Sequence, residues 1–203
     1  EYDSSLAKVE STFMDLILAS QSPRRKALLE QFGLTFSVQV IPTTEESAGN
    51  PLYVARENAS RKALPVSLAN PGCLVLGADT IVTLDGHILG KPVDEAEARE
   101  MLDFLGGREH EVTTCVALCS NGQVRREFSE TTKVQFRHLT RQEIEAYVLT
   151  GEPLDKAGGY GIQGFGGLLV KSIKGCYYNV VGLPMPSLAE HLRELGIEVF
   201  SRK

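Results

Sequence analysis

The chain reads as an α/β protein: a mixed twisted sheet flanked by helices, in two lobes around a central cleft. Three observations predict this class. Apolar strand-like runs alternate with helical patterns along most of the chain. The pairs Asp85-Gly86 and Asn121-Gly122 are hairpin signals, so antiparallel pairing enters the sheet. A length of 203 residues, 42% hydrophobic and 23% charged, suits one domain with a core large enough to divide around a cleft.

Taken in order, residues 1–13, "EYDSSLAKVESTF", are polar and weakly patterned and read as an N-terminal extension. Residues 14–203 are expected to form a single domain. Leu16–Ala19 is an expected buried strand. Ser22 as N-cap and Pro23 at the first helical position open a helix to Phe32, with Gly33 behind it. "TFSVQVI" reads as a second strand. Asn50-Pro51 opens a helix to about Leu64, where Pro65 should end or kink it.

"CLVLGADTIVTL" reads as strand, turn and strand continuation. Asp94 caps the helix "EAEAREMLDFL", closed by Gly106. A long hairpin, "HEVTTCVALCS" and "QVRREFSETTKVQFRHL", turns at Asn121-Gly122. Thr140 and Glu143 form a capping box for "RQEIEAYVL". A glycine-rich loop, the strand "LLVKSI" and the helix "SLAEHLREL" complete the order.

A net charge of −5 argues against a nucleic-acid-coating protein, yet leaves room for an anionic substrate held by a local cluster. Cys73, Cys115, Cys119 and Cys176 include no CxxC pair, and the four histidines lack metal-ligand spacing. Cys115 and Cys119 share one strand face, which suggests packing. With no signal peptide and no long apolar run, a reduced, soluble, cytoplasmic protein with no membrane partner is expected. Asn58-Ala-Ser60 matches a glycosylation sequon within a helical pattern and reads as a chance match.

Four polar clusters flank apolar strands. In "SQSPRR", Arg24 and Arg25 crowd a helix start that is already positive, where acidic residues are favoured. Ser20, Ser22 and the free N–H groups there, with two guanidinium groups, suit a phosphate; the bland alternative is surface pairing. In "GADT", Asp79 and Thr80 follow "LVL", so the carboxylate is expected near a strand end, holding a cation or activating water. Taken alone, Asp79 reads first as a turn residue bonded to nearby backbone. Lys91 follows on a loop stiffened by Pro92, although a lone loop lysine is usually just solvated.

The third cluster, "EPLDKAGGYGIQGFGG", holds Asp155, Lys156 and Gln163. It formally contains GxGxxG, but it follows a helix rather than a strand, so a dinucleotide site is rejected. The fourth is Thr44-Glu45-Glu46 with Lys62 on the next helix. Adjacent acids are usually a solvated edge; joined with Asp79, one could complete a hard-cation site.

As a set, "LASQSPRR", "EE", "GADT", "KP", "GGREH" in place of "SGREH", "GEPLDKAGGYGIQGFGG" and "NVVGLP" resemble the Maf family of nucleoside triphosphate pyrophosphatases. The resemblance spans nearly all of residues 16–195. It implies two lobes around a cleft, and hydrolysis between the α and β phosphates to give monophosphate and pyrophosphate. "GYGIQG" resembles the subgroup acting on dTTP, UTP and modified pyrimidine nucleotides. A 7-methyl-GTP subgroup carries Ser-Glu-Gly where this chain has Ile162-Gln163-Gly164.

By the same matching, Arg24, Thr80 and Gln163 help set substrate choice. Gln163 offers a donor and an acceptor to the mixed edge of thymine or uracil. Asp79, Lys91 and Asp155 are the expected catalytic residues. Ser20, Ser22, Arg24, Arg25, Lys62, Thr80, Lys156 and Gln163 are the expected substrate contacts. Glu46 with Asp79 is the expected metal pair, with Glu45 a less favoured ligand, for Mg²⁺ or alternatively Mn²⁺. The rivals are a purine-directed pyrophosphatase and a catalytically silent nucleotide-binding division regulator. A homodimer is carried as an expectation without a located interface.

Overall fold

A computed structural model describes residues 15–47 and 49–199. The N-terminal extension proposed for residues 1–13 lies outside the described residues. One seven-stranded mixed sheet organises the fold. Strand β1 (Leu16–Leu18) pairs in parallel with β2 (Ser37–Val38) and with β3 (Leu74–Leu84). All other pairings are antiparallel: β4 (His87–Leu89) and β5 (Glu109–Ser120) with β3, β6 (Gln123–Phe136) with β5, and β7 (Val170–Lys174) with β6. The two expected hairpin turns are present. Asp85 and Asn121 take φ of 51° and 52°, each followed by a glycine with positive φ, the geometry that matches strand twist.

Among the described residues six α-helices flank the sheet: α1 (Pro23–Gln31), α2 (Pro51–Ala69), α3 (Glu95–Leu105), α4 (Arg141–Val148), α5 (Tyr177–Val181) and α6 (Met185–Glu194). The period of two along β3 divides its partners. Leu74, Leu76 and Ala78 face a core containing Leu28 and Leu29 of α1 and Leu188 and Leu192 of α6. Val75 and Ile81 face Ala55, Ala59, Ala63 and Val66 of α2, joined by Cys115 and Cys119 of β5. Farther along, Val82 and Leu84 join a separate core with α3 and α4, built on Leu102, Phe136 and Ile144. The cleft is lined from these three cores, with β3 and β5 contributing to each.

Three expectations are corrected. The segment expected to turn at "GADT" is one continuous strand, paired without interruption from Val75 opposite Cys119 to Thr83 opposite Glu111. Asp79 therefore stands mid-strand rather than at a strand end. Gly77 makes room for α2: a Cβ there would lie 2.3 Å from the Ala59 carbonyl oxygen. Helix α2 continues through Pro65 to Ala69, because Val66 and Ser67 remain fully buried and the packing outweighs one missing backbone donor. The second strand shrinks to Ser37–Val38; both residues are exposed at the sheet edge, with only one neighbour to pair with.

Candidate active site

The cleft encloses a cavity of about 460 Å³. Its lining brings together Ser22, Arg24, Arg25, Glu45, Glu46, Lys62, Asp79, Thr80, Lys91, Asp155, Lys156 and Gln163, that is, every expected site residue except Ser20. Ser20 lines an adjoining cavity of about 480 Å³ that shares Arg24, Lys62, Lys91 and Asp155 with the first. Residues from both ends of the chain thus meet in one recess.

Asp79 is held from two sides by α2. Lys62 Nζ donates to Asp79 Oδ1 at 2.7 Å, and Asn58 Nδ2 donates to Oδ2 at 3.3 Å. Asn58 and Lys62 lie four residues apart, on one helix face. Asn58 is 3% exposed and also ties down the acidic loop: its Oδ1 accepts from Glu46 N at 2.7 Å and its Nδ2 donates to Glu46 O at 2.9 Å. The sequon at Asn58 is an internal clamp on two acidic segments. Its signal in the sequence was that four-residue spacing to Lys62.

The two adjacent glutamates separate. Glu45 Oε1 lies 2.7 Å from Lys62 Nζ, so Glu45 and Asp79 share one ammonium. Burial raises the Glu45 proton affinity, but the bond and charge of Lys62, together with the charges of Lys91 and Arg25, outweigh it and the net shift is downward. Glu46 turns away, with Oε2 3.6 Å from an Arg61 nitrogen. The side chain brought to Asp79 is therefore Glu45, whereas Glu46 reaches the site through its backbone.

The two arginines of α1 also part. Ser22 caps the helix, its side chain accepting from Arg25 N at 3.5 Å. Arg25 is 8% exposed. Its Nε donates to Gly182 O at 2.9 Å, Nη1 to Ala78 O at 2.9 Å and to Ser20 Oγ at 3.2 Å, and Nη2 to Thr80 Oγ1 at 3.0 Å. Burial lowers its proton affinity, opposed by the charge of Asp79. The expected free phosphate clamp at Arg25 is thus a buried tie, with most of its fork committed to protein acceptors. A second tie continues it: Thr80 Oγ1 lies 2.9 Å from Thr114 Oγ1, which donates to Asn179 O at 3.0 Å. Asn179 Nδ2 donates in turn to Val112 O at 2.9 Å.

Arg24 remains at the cavity, its Nη1 3.5 Å from Asp155 Oδ2. Burial raises the Asp155 proton affinity; Lys156 and Arg24 outweigh it and hold the carboxyl below its ordinary range. Lys156 also donates to Glu152 O at 2.7 Å. Lys91 and Gln163 line the cavity and form no hydrogen bond or ion pair among the described residues. They are free to meet a ligand. Sequence reasoning gave no role to Asn58, Tyr147, Glu152 and Asn179: Asn58, Glu152 and Asn179 lie within quoted stretches, but the backbone and side-chain partners that define their roles are set only by the fold.

The matching family model is described as Maf-like protein and covers residues 15–195. The chain belongs to the Maf family. Curated Maf relatives agree over most of the length. A protein of Symbiobacterium thermophilum named dTTP/UTP pyrophosphatase is 50% identical over 188 residues, covering 92% of this chain and 96% of that one. One of Bacillus thuringiensis with the same name is 49% identical, covering 91% and 97%. Among solved structures, the Ham1 protein of Staphylococcus aureus superposes with a TM-score of 0.48 at 17% identity over 76% of this chain and 79% of that one, too loosely to bear on function.

Proposed function

We propose that this Maf protein is a nucleoside triphosphate pyrophosphatase that cleaves dTTP, UTP and modified pyrimidine nucleotides into the monophosphate and pyrophosphate. The observation that carries the reading is the Lys62–Asp79 pair, set at 2.7 Å in a cavity that also exposes Lys91, Arg24 and an uncommitted Gln163. The names of relatives at about half identity support the substrate class.

A nucleoside triphosphate carries about four negative charges, and attack at phosphorus needs them offset and a water activated. Arg24, Lys91 and Lys156 supply the phosphate contacts, with Ser20, Ser22 and the α1 N-terminus beside them. Asp79 accepts the proton of the attacking water at a carboxylate oxygen. Its orientation is held by Lys62 and Asn58. Asp155 orients Arg24 and Lys156. Thr80, tied to Arg25, shapes the floor of the cleft. Gln163 offers its amide to the O/N–H edge of the pyrimidine.

The donor set fits a divalent cation. Among the described residues no group of three or more His, Cys, Asp or Glu forms a ready ligand cluster. Magnesium instead takes one or two carboxylates and completes its shell from water and phosphate oxygens. Asp79 with Glu45, or with Glu46 once its side chain leaves Arg61, would hold Mg²⁺, or Mn²⁺ as the alternative. Such an ion offsets triphosphate charge when bound.

Among the described residues no helix is long and apolar enough to cross a membrane. Cys73, Cys115, Cys119 and Cys176 are free thiols, which suits the cytoplasmic setting proposed for the reaction. A homodimer is proposed without an assigned interface. Pyrophosphate release measured over dTTP, UTP, 7-methyl-GTP and dATP with Mg²⁺ tests the whole reading. The two pyrimidines should lead. A purine in front would overturn the base assignment, and no turnover with any nucleotide would favour a silent binding protein.

A further inference from the structure

Glu152 begins a 3₁₀ turn, Glu152–Asp155, and does not line the cavity. The glycine-rich loop wraps around its carboxylate. Oε2 accepts from Phe165 N at 2.9 Å, and Oε1 accepts from Gly166 N and from the Tyr147 hydroxyl, each at 3.0 Å. Gly161 N donates to the same hydroxyl oxygen at 3.4 Å. Burial first, and then the charge of Glu152, keep the Tyr147 phenol protonated, so it serves as a donor.

The glycines fit this wrapping. A Cβ at Gly164 would lie 2.2 Å from Glu152 Oε2, and one at Gly166 would lie 2.7 Å from the Tyr147 hydroxyl. Backbone on both sides of Ile162-Gln163 is therefore fastened to one carboxylate–phenol pair. Hydrogen bonds to an ionised acceptor are about twice as strong as neutral ones. Gln163 itself is exposed and unbonded among the described residues, so its place in the cleft is set by the backbone that carries it.

We propose that Glu152 is the positioning residue of this loop: by holding Phe165 and Gly166 directly, and Gly161 through the Tyr147 hydroxyl, it fixes where Gln163 stands. It thereby sets base discrimination without touching the nucleotide. This rests on the functional reading above and names how that site selects its base. Removing the carboxylate charge loosens the loop while leaving Asp79, Lys62 and the phosphate contacts of the opposite wall in place.

The test compares the wild-type chain with Glu152→Gln, Glu152→Ala and Tyr147→Phe. It measures kcat and KM for dTTP and dATP, equilibrium binding of both nucleotides, and amide exchange over residues 161–168. Expected for Glu152→Ala are a KM for dTTP raised about tenfold, a kcat changed less than about threefold, and a dTTP-over-dATP preference reduced about tenfold. The Phe165 and Gly166 amides should exchange at least about tenfold faster while β5 stays protected. Glu152→Gln, which keeps one acceptor, should recover part of the loss, and Tyr147→Phe should shift the same readouts less.

A purely structural role would instead lower kcat for both nucleotides in proportion to folded protein. That result, or unchanged preference, overturns the proposal. A wild-type chain that binds but does not cleave nucleotides overturns the enzymatic reading alone, and the preference is then read from binding. If that non-cleaving chain also binds dTTP and dATP equally, the proposal falls as well.

Discussion

Lys62 Nζ lies 2.7 Å from Asp79 Oδ1 and 2.7 Å from Glu45 Oε1, so one ammonium joins a helix, a strand and a loop. Its side chain is 19% exposed and that of Asp79 14%, which screens the pair less than a surface salt bridge. Asp79→Asn should lower turnover at least about a hundredfold, as expected for a positioned acid–base group. Lys62→Met leaves two acids facing each other without their shared cation and should also cost at least about tenfold in kcat/KM. Steady-state pyrophosphate release checks both, and near-normal rates for the asparagine variant would remove Asp79 from its role.

The neighbours Arg24 and Arg25 should respond in opposite ways. Arg25→Lys replaces a buried fork that makes four hydrogen bonds with a single ammonium, and should destabilise the fold by about 2–4 kcal/mol. Arg24→Ala removes only a 3.5 Å contact at the cavity edge and should change stability by less than about 0.5 kcal/mol. It should instead raise KM for dTTP about tenfold. Denaturant melts beside steady-state kinetics separate the two; a large stability loss from Arg24→Ala would return that residue to a structural role.

Gly77 sits where α2 crosses β3, and a Cβ there would come 2.3 Å from a backbone oxygen that cannot swing aside. Gly77→Ala should therefore cost about 2 kcal/mol or more through overpacking. Because the same helix carries Asn58 and Lys62, the displaced α2 should also lower activity in the protein that remains folded. Unchanged melting would mean that the helix shifts freely.

His110 is 2% exposed, and its Nε2 lies 2.8 Å from the Tyr160 hydroxyl. Burial holds its pKa down, at about 4 against an ordinary 6.5. Between those values the unfolded chain binds a proton that the folded one refuses, so stability falls as pH drops from about 6.5 toward 4. The loss amounts to at most about 3 kcal/mol. His110→Gln should flatten that part of the stability–pH curve, measured by urea melts at several pH values. An equally steep acid limb in the variant would assign the effect to other groups.

The elements were largely legible because their signals are local. The capping box at Thr140 and Glu143, the N-cap Ser22, and the Asp85-Gly86 and Asn121-Gly122 turns form among residues close in sequence. Pro65 misled because burial of Val66 and Ser67 outweighs a local rule. "GADT" misled because Gly77 marks close helix packing here rather than a turn.

The amino-acid order alone determined the alternating elements, and a set of acids, bases and one amide suited to a charged nucleotide. Only the tertiary structure decided their division of labour: Arg25 inward and Arg24 at the cleft, Glu45 rather than Glu46 on Lys62, Asn58 as a clamp, and Glu152 inside the loop. The reason is distance along the chain. Arg25 bonds to Gly182 across 157 positions and Asp79 to Lys62 across 17, and no local periodicity reports which of two neighbouring side chains a remote acceptor will engage.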